Sequence, residues 1–167
     1  MMPSSNSNAM RIERFQLSPL QTQRPLDQET EQLISRIVEL EITAGLSSRG
    51  EASYRSIVND PAHLILVART GKELVGIFAA CIVVDELQID NLAVSSLHRG
   101  RGIGSRLVAA GLTIGRETGC QVAILEVRSA NLPARMLYLK SGFEEVGKRP
   151  RYYQNPPDDA ITMLCQF

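Results

Sequence analysis

A glycine-rich turn between an apolar strand and an amphipathic helix is the feature that most limits how this chain can fold. Residues 99–104 read R-G-R-G-I-G and come shortly after the apolar segment Leu87–Val94. Glycines let the backbone bend tightly and bring its N–H groups close to a phosphate. A helix start adds unpaired N–H donors and a positive dipole end. Since Arg99, Arg101 and Arg106 lie here without an acid, the segment predicts a cradle for a di- or polyphosphate carried by a cofactor.

Two common phosphate motifs do not fit this segment. No Lys-Ser/Thr pair follows the glycines, which excludes a P-loop. The spacing of Gly100, Gly102 and Gly104 also departs from the G-x-G-x-x-G fingerprint of dinucleotide sites. On the glycines alone, a flexible turn before an ordinary helix remains the alternative interpretation.

Hydrophobic periodicity and turn residues predict an alternation of strands and helices along the chain. The strand–cradle–helix–strand unit predicts two parallel neighbouring strands with a ligand at the carboxyl end of the first. The order predicts a mixed α/β sheet with helices on its faces. The predicted elements are a strand at Arg11–Leu17, a loop at 19–26, helices at Asp27–Ala44 and Glu51–Val58, strands at His63–Arg69, Leu74–Val84 and Leu87–Val94, a helix at about Gly102–Thr118, a strand at Gln121–Val127, a helix at Leu132–Lys140, and strands at Phe143–Lys148 and Ala160–Gln166.

Bulk properties exclude several functional classes. The 167 residues predict one domain over residues 11–167, after a polar, disordered extension over 1–10. Zero net charge argues against a nucleic-acid module, and the longest apolar run, Ile77–Val84, is too short to cross a bilayer. Three dispersed cysteines without metal-ligand spacing predict buried thiols in a reducing cytoplasm, and no metal site: Cys81, Cys120 and Cys165.

Four motifs in order resemble a known family. Arg99, Gly102 and Gly104 fit R/Q-x-x-G-x-G/A, which is similar to the acetyl-CoA pyrophosphate loop of the GNAT superfamily of N-acetyltransferases. L-E-V-R-S-A-N at 125–131, L-Y-L-K-S-G-F at 137–143, and the tail segments R-x-R-Y-Y and D-D-A-I-T-M resemble its RimI type, which acetylates the N-terminal alanine of a ribosomal protein. The resemblance covers about residues 62–167. The first sixty residues match poorly, and the chain has no Trp.

The resemblance implies a fold and a cofactor. The implied GNAT fold is a central mixed, mostly antiparallel twisted sheet of six to seven strands flanked by about four helices. The implied cofactor is acetyl-CoA, with the backbone of the strand before the cradle and an asparagine at a later helix start contacting its pantetheine arm. The implied cofactor-binding residues are Leu92, Ala93, Val94, Arg99, Gly100, Arg101, Gly102, Ile103, Gly104, Ser105 and Asn131.

The same resemblance implies the catalytic pair. Glu126 is placed as the general base at the end of an apolar strand, and Tyr138 as the general acid on the following helix. The alternatives read from the residues alone are a surface or salt-bridged Glu126, with Arg128 as a candidate partner, and a Tyr138 that packs beside its leucine neighbours. An α-amine is about 3–4 kcal/mol easier to deprotonate at fixed pH than a lysine, which suits a modest base.

The segment between the last two predicted strands is rich in tyrosine. Tyr152 and Tyr153 are predicted in a loop between the last two strands, where the resemblance implies a wall of the acceptor groove; an aromatic cluster covering core is the alternative. Asp158 and Asp159 are predicted to turn the chain into its final strand. His98 adjoins the cradle and is predicted as a solvated loop residue, with contact to phosphate as the alternative. No cysteine is expected beside a base, which argues against a Cys-acyl intermediate.

The implied reaction is direct acetyl transfer in a ternary complex to a protein N-terminal α-amine, with a ribosomal protein as the model acceptor. Because the N-terminal half diverges, a small amine or a lysine side chain remains an alternative acceptor. A non-catalytic acyl-CoA-binding regulator is the alternative from another class. We expect a cytoplasmic monomer or homodimer that binds neither membrane nor nucleic acid directly.

Overall fold

The computed structural model describes residues 9–15 and 26–167. The order of strands and helices predicted from the sequence is confirmed within these residues, with a short 3-10 turn at Ser96–His98 added. The elements are β1 (Met10–Arg14), α1 (Gln28–Thr43), α2 (Glu51–Ile57), β2 (His63–Thr70), β3 (Glu73–Val83), β4 (Glu86–Val94), α3 (Ile103–Glu117), β5 (Val122–Arg128), α4 (Leu132–Lys140), β6 (Glu144–Gln154) and β7 (Pro157–Gln166).

The seven strands of the described residues form one sheet in the order β1-β2-β3-β4-β5-β7-β6. Only β4 and β5 are parallel neighbours, and α3 connects them. Every other neighbouring pair is antiparallel. The predicted mixed, mostly antiparallel sheet with four flanking helices is therefore confirmed.

Two separate cores lie on opposite faces of the sheet. Because side chains alternate along a strand, Leu64 and Leu66 of β2 contact one core while Ile65 and Val67 contact the other. The first core contains the inner faces of α3 and α4, and the second contains those of α1 and α2. Each pair of helices is thus packed on its own side of the sheet.

Close packing sets the distance between α3 and the sheet. A Cβ on Gly111 of α3 would lie 2.4 Å from the Phe78 ring of β3. In the reverse direction, a Cβ on Gly76 of β3 would lie 2.9 Å from Leu107 of α3. Glycine at both positions lets the helix approach the sheet closely, which fixes where its N-terminus lies.

Capping residues determine where two helices begin. Asp27 accepts a hydrogen bond from the Thr30 N–H at 2.8 Å, and this bond holds the pKa of Asp27 below its usual value. Asn131 accepts one from the Ala134 N–H at 3.2 Å, with Pro133 in the first turn of α4. Both starts agree with the sequence predictions.

The last two strands are longer than predicted. The sequence predicts strands ending at Lys148 and beginning at Ala160, whereas β6 continues to Gln154 and β7 begins at Pro157. The prolines and an irregular register between Arg149 and Tyr153 obscure the strand pattern in the sequence. The predicted Pro- and Tyr-rich loop is therefore mostly a β-hairpin.

The inward face of α1 also differs from the prediction at one position. The sequence assigns Ile42 to the apolar stripe, but its side chain is 60% exposed. Glu41 instead points inward and is completely buried. A helical spacing of four residues from Ile37 places Glu41, and not Ile42, on the core side.

Three expectations extend beyond the described residues. Most of the predicted N-terminal extension (1–10) and most of the predicted loop at 19–26 lie outside them, as does the end of the first predicted strand, which the structure shows beginning at Met10. None of the helices that the structure describes is both long enough and apolar enough to cross a membrane.

Candidate active site

An opening in the sheet separates the ends of β4 and β5. The two strands pair only where Glu86–Ile89 face Val122–Leu125. Beyond this stretch β4 pairs with β3 alone, and a cavity of about 920 Å³ occupies the gap. The backbone groups of Leu92, Ala93 and Val94 on this side of β4 are therefore not used by β5. Such an edge can hydrogen-bond an extended, amide-containing molecule.

The glycine-rich turn forms an open cradle at the start of α3. Gly100 and Gly102 both have φ of +74°, which glycine adopts without strain. A Cβ on either would meet no atom within 4 Å, so the space beside them is free. The first helical turn is closed by the Arg106 N–H donating to the Gly102 carbonyl at 3.1 Å, which leaves the N–H groups of residues 103–105 without a helical acceptor. This arrangement suits an anion.

The three arginines of the predicted cluster do not act together. Arg99 donates to the carbonyl of Val94 at 3.2 Å and to that of Ala44 at 3.1 Å. Ala44 is the C-cap of α1, where the negative end of the helix dipole attracts a cation. Arg101 and Arg106 are exposed and form no ion pair with the described residues. The Arg99 guanidinium thus bonds to two backbone carbonyls, while Arg101 and Arg106 have no such partner among the ion pairs of the described residues.

Glu126 lies on β5 with its side chain directed into the cavity. The side chain is 27% exposed, and its Oε1 accepts a hydrogen bond from Arg149 Nη1 at 2.7 Å. The predicted alternative pairing with Arg128 is wrong. Arg128 instead donates to the carbonyls of Asn155 and Pro156 at 2.9 Å, because the β6–β7 hairpin brings these carbonyls within its reach.

Tyr138 and Asn131 reach the same cavity from α4. Tyr138 is only 6% exposed and packs edge-on against Phe143, with the ring centroids 5.5 Å apart. Burial raises the pKa of Tyr138, so its hydroxyl remains protonated over the physiological range. This hydroxyl makes no hydrogen bond with any residue that the structure describes, and is free to donate one. Asn131 caps α4 beside it.

Tyr152 and Tyr153 belong to β6, which corrects their predicted place in a loop. Their rings meet edge to face with centroids 5.0 Å apart. The Arg149 guanidinium lies 4.3 Å from the Tyr152 ring centroid, and Arg128 lies 4.1 Å from that of Tyr153. Hydrogen bonding to Glu126 raises the pKa of Tyr152. The tyrosines therefore form an aromatic wall of the cavity immediately beside Glu126.

Comparison with known proteins agrees with this geometry. A family model described as the acetyltransferase (GNAT) family matches residues 33–143. The chain belongs to the GNAT family. A Mycobacterium tuberculosis relative named N-alpha-acetyltransferase RimI is 33% identical over 131 residues, covering 75% of this chain and 80% of that protein. A Haemophilus influenzae ribosomal protein bS18-alanine N-acetyltransferase is 39% identical over 92 residues, covering 53% of this chain and 62% of that relative.

The GNAT fold is also found among solved structures. The Escherichia coli ribosomal-protein-S18-alanine N-acetyltransferase matches with a TM-score of 0.77 at 22% identity, covering 95% of this chain and 94% of that one. As a GNAT member, the protein is an N-acetyltransferase that takes its acetyl group from acetyl-CoA.

Several groups around the GNAT cavity carry no assignment from the sequence. Its wall opposite the tyrosines is built by the α1–α2 connection, with Ala44 and Ser47 among its residues, and by Asn91 of β4. A short connection of small residues between two amphipathic helices carries no motif that would predict a binding role from a single sequence. Arg149 is different, because it lies within the quoted R-x-R-Y-Y segment and only its partner was unknown.

The histidines and cysteines lie away from the catalytic pair. His98 is 14% exposed, with Nδ1 at 3.4 Å from Ser95 Oγ, so it is not the solvated residue that was predicted. Cys81 faces His63 across β2 and β3, which corrects the expectation that no cysteine neighbours a base. Burial raises the pKa of Cys81, which disfavours a nucleophilic thiolate.

Cys120 and Cys165 are buried free thiols, as predicted. Among residues 9–15 and 26–167, no group of three or more His, Cys, Asp or Glu side chains is arranged to hold a metal ion.

Proposed function

We propose that this GNAT enzyme acetylates the α-amine of a protein N-terminus by direct transfer within a ternary complex. The observation that carries the proposal is that Glu126 and Tyr138 line one cavity, which opens along the unpaired edge of β4. Two relatives, one named as a ribosomal protein bS18-alanine N-acetyltransferase and the other as an N-alpha-acetyltransferase, support the same acceptor.

Residues on one side of the opening fit the acetyl donor. The free space and unpaired N–H groups of residues 100–105 suit its pyrophosphate, and Arg101 supplies positive charge. The free edge at Leu92–Val94 and the Asn131 side chain suit the amide groups of its pantetheine arm. Bound acetyl-CoA supplies an acetyl group activated as a thioester. In this proposal Arg99 holds the turn in place and does not itself bind phosphate.

The acceptor amine must lose a proton before or during attack, and Glu126 is the base that receives it. Its Oε1 is engaged by Arg149, and in this proposal the other carboxylate oxygen accepts the amine proton. Since an α-amine titrates near 7.7–8 and a lysine near 10.4, the α-amine needs about 3–4 kcal/mol less to become neutral. A carboxylate already paired with an arginine suits the easier substrate.

Tyr138 acts on the departing sulfur from the opposite side of the cavity. Its hydroxyl, carried by a mostly buried side chain that lines the cavity, donates a hydrogen bond as negative charge develops there. Because burial raises the pKa of Tyr138 above its usual value, complete proton transfer to a thiolate is unfavourable. We therefore assign hydrogen-bond donation, and not full protonation, as the role of Tyr138.

An extended peptide fits the space between the two walls. The aromatic pair Tyr152 and Tyr153 forms one wall, and the α1–α2 connection forms the other. Only the first few residues of an acceptor can lie between these walls, with the amine directed toward Glu126. The proposal therefore predicts that the identity of the first residues controls the rate.

Acetylation of short peptides tests this function. The wild-type chain is incubated with acetyl-CoA and peptides that differ in their first residue, while CoA release and peptide mass are measured. We expect one acetyl group on the α-amine, and none on matched peptides that have a blocked N-terminus and an internal lysine. Preferential acetylation of the lysine or of small polyamines would replace the proposed acceptor. Tight CoA binding without any turnover would contradict an acetyltransferase function.

A further inference from the structure

One carboxylate in the described part of the chain is completely buried. Glu41, near the end of α1, has no exposed surface. Its Oε1 accepts hydrogen bonds from the Tyr54 hydroxyl at 2.5 Å and from Asn91 Nδ2 at 2.7 Å. Its Oε2 accepts from Ser48 Oγ at 2.8 Å and from the Arg49 N–H at 3.3 Å. Four donors therefore converge on one carboxylate.

These donors come from three separate parts of the acceptor side. Tyr54 lies on α2, Asn91 lies on β4, and Ser48 and Arg49 lie in the α1–α2 connection. The Arg49 side chain also pairs with Asp90, which precedes Asn91 on β4. Glu41 thus joins the connection between the helices to the strand at the point where the sheet opens.

The joined segment is the cavity wall opposite Tyr152. Residues 44–47 line the cavity together with Asp90 and Asn91, while residues 48–49 are fastened to Glu41. The other end of the segment is held by Arg99, which donates to the Ala44 carbonyl. The wall is therefore held by hydrogen bonds at both ends. The bonds to Glu41 are made to a buried carboxylate, whereas the bond from Arg99 is exposed.

Burying a carboxylate is costly unless hydrogen bonds satisfy its oxygens. An apolar residue at this inward position of α1 would stabilise the core without that cost. A carboxylate is instead able to accept several donors at once and so fix the relative positions of the groups that carry them. Three of the four donors come from the α1–α2 connection and from β4 beside it, which indicates that Glu41 controls the position of the wall.

We propose that Glu41 is a positioning residue that sets the acceptor-binding wall formed by residues 44–50 and Asn91. The assignment of this wall to the acceptor rests on the proposed function. Glu41 does not touch the reacting groups. It acts through Ser48, Arg49 and Asn91, so its loss impairs acceptor binding more than donor binding.

The sharpest test removes one donor and leaves the carboxylate in place. Ser48→Ala deletes the hydroxyl that donates to Glu41 and also accepts from the Gly50 N–H at 3.0 Å, and Ser56→Ala is its matched control, because Ser56 lies on the exposed side of α2 and bonds only to the Ser53 carbonyl. We expect Ser48→Ala to raise the acceptor-peptide KM by about three- to tenfold, with kcat and the Kd for CoA within about twofold of wild type. Ser56→Ala should change none of these constants.

Hydrogen exchange of residues 44–50 gives a readout that does not require an acceptor. We expect faster exchange there in Ser48→Ala, and still faster exchange in Glu41→Gln, whereas exchange in β5 and α3 is unchanged. Should Glu41→Gln fail to fold, Ser48→Ala alone still decides, since the bonds of Glu41 to Tyr54 and Asn91 do not involve Ser48.

Two results would overturn the role of Glu41. One is an unchanged acceptor KM and unchanged exchange in Ser48→Ala. The other is a Ser48→Ala variant that loses CoA affinity as much as acceptor affinity and also has a lower Tm, which would mean a general structural role. If the wild type acetylates only small amines, the proposed acceptor is wrong, while exchange at residues 44–50 and the small-amine KM still test Glu41.

Discussion

At the scale of single residues, the chemistry proposed for this site depends on how Glu126 is held. Arg149 engages one of its oxygens and also lies over the Tyr152 ring, so the base, its cation and the aromatic wall form one unit. Tyr138 lies apart from this unit, buried on α4. Base and hydrogen-bond donor are thus held by different elements and can be removed one at a time.

Replacing the base tests the first of these roles. We expect Glu126→Gln to lower kcat by about 10²- to 10⁴-fold, since an amide of the same shape cannot accept the amine proton. CoA affinity should be unchanged, because Glu126 is not part of the cradle. Glu144→Gln, an exposed glutamate on β6, is the matched control and should retain wild-type turnover. Steady-state rates and calorimetric CoA binding check both expectations, and a rate within threefold of wild type would exclude Glu126 as the base.

The hydroxyl of Tyr138 gives a prediction about pH. A phenol whose pKa is raised by burial stays protonated below that raised value, so its contribution persists up to and beyond about pH 10. We therefore expect Tyr138→Phe to lower kcat by a constant factor of about ten or more between pH 6 and 10. The ratio of wild-type to variant kcat is measured across this range. A ratio that closes toward one as the pH approaches 10 would indicate an unshifted tyrosine and contradict the assignment.

At the scale of elements, the start of α3 sets the donor site. Gly102 caps this helix in the left-handed region, and Gly119 follows its other end with φ of +90°. Neither glycine has an atom within 4 Å of where a Cβ would lie. The same substitution at Gly102 and at Gly119 therefore causes similar backbone strain. Only the substitution at Gly102 places a side chain beside the proposed anion site.

We expect Gly102→Glu to weaken CoA binding by at least about tenfold, because its carboxylate brings bulk and negative charge to the place proposed for the pyrophosphate. Gly119→Glu should leave the Kd for CoA within about twofold of wild type. Calorimetry on both variants provides the measurement. Equal CoA affinities in the two variants would remove the cradle assignment.

How well each element could be predicted depends on how local its signal is. The apolar periodicity of α1 and of α3, and the cap of α4 at Asn131, are each formed by residues close together in the chain. These three helices were therefore predicted almost to the residue. The β6–β7 hairpin was not, because its prolines weaken the strand pattern and its register depends on the partner strand.

The site divides in the same way. Glu126 and Tyr138 were predicted from short motifs, whereas the partner of Glu126 is an arginine 23 residues away on another strand. Only pairing across the sheet brings the two together. Glu41 was missed because one glutamate within a helical pattern reads as solvated, and its burial depends on α2 and β4.

At the scale of the whole molecule, every strand in the described part of the chain belongs to one sheet with a core on each face. β1 begins at Met10, and Met10 and Ile12 of this strand already pack against the first core. We therefore expect a chain that starts at Ala9 to match the full chain in Tm, to within about 2 °C, and in kcat. Thermal unfolding and turnover measured side by side test this domain boundary, and a lower Tm would show that residues 1–8 contribute to the fold.

The two cores have a consequence for how such a protein changes over time. Helices α3 and α4, with the cradle, share one core, while α1 and α2, with the acceptor wall, share the other. Substitutions that reshape the second core leave the packing of the first largely intact. A lineage can thus exchange one acceptor for another while selection keeps the donor half constant.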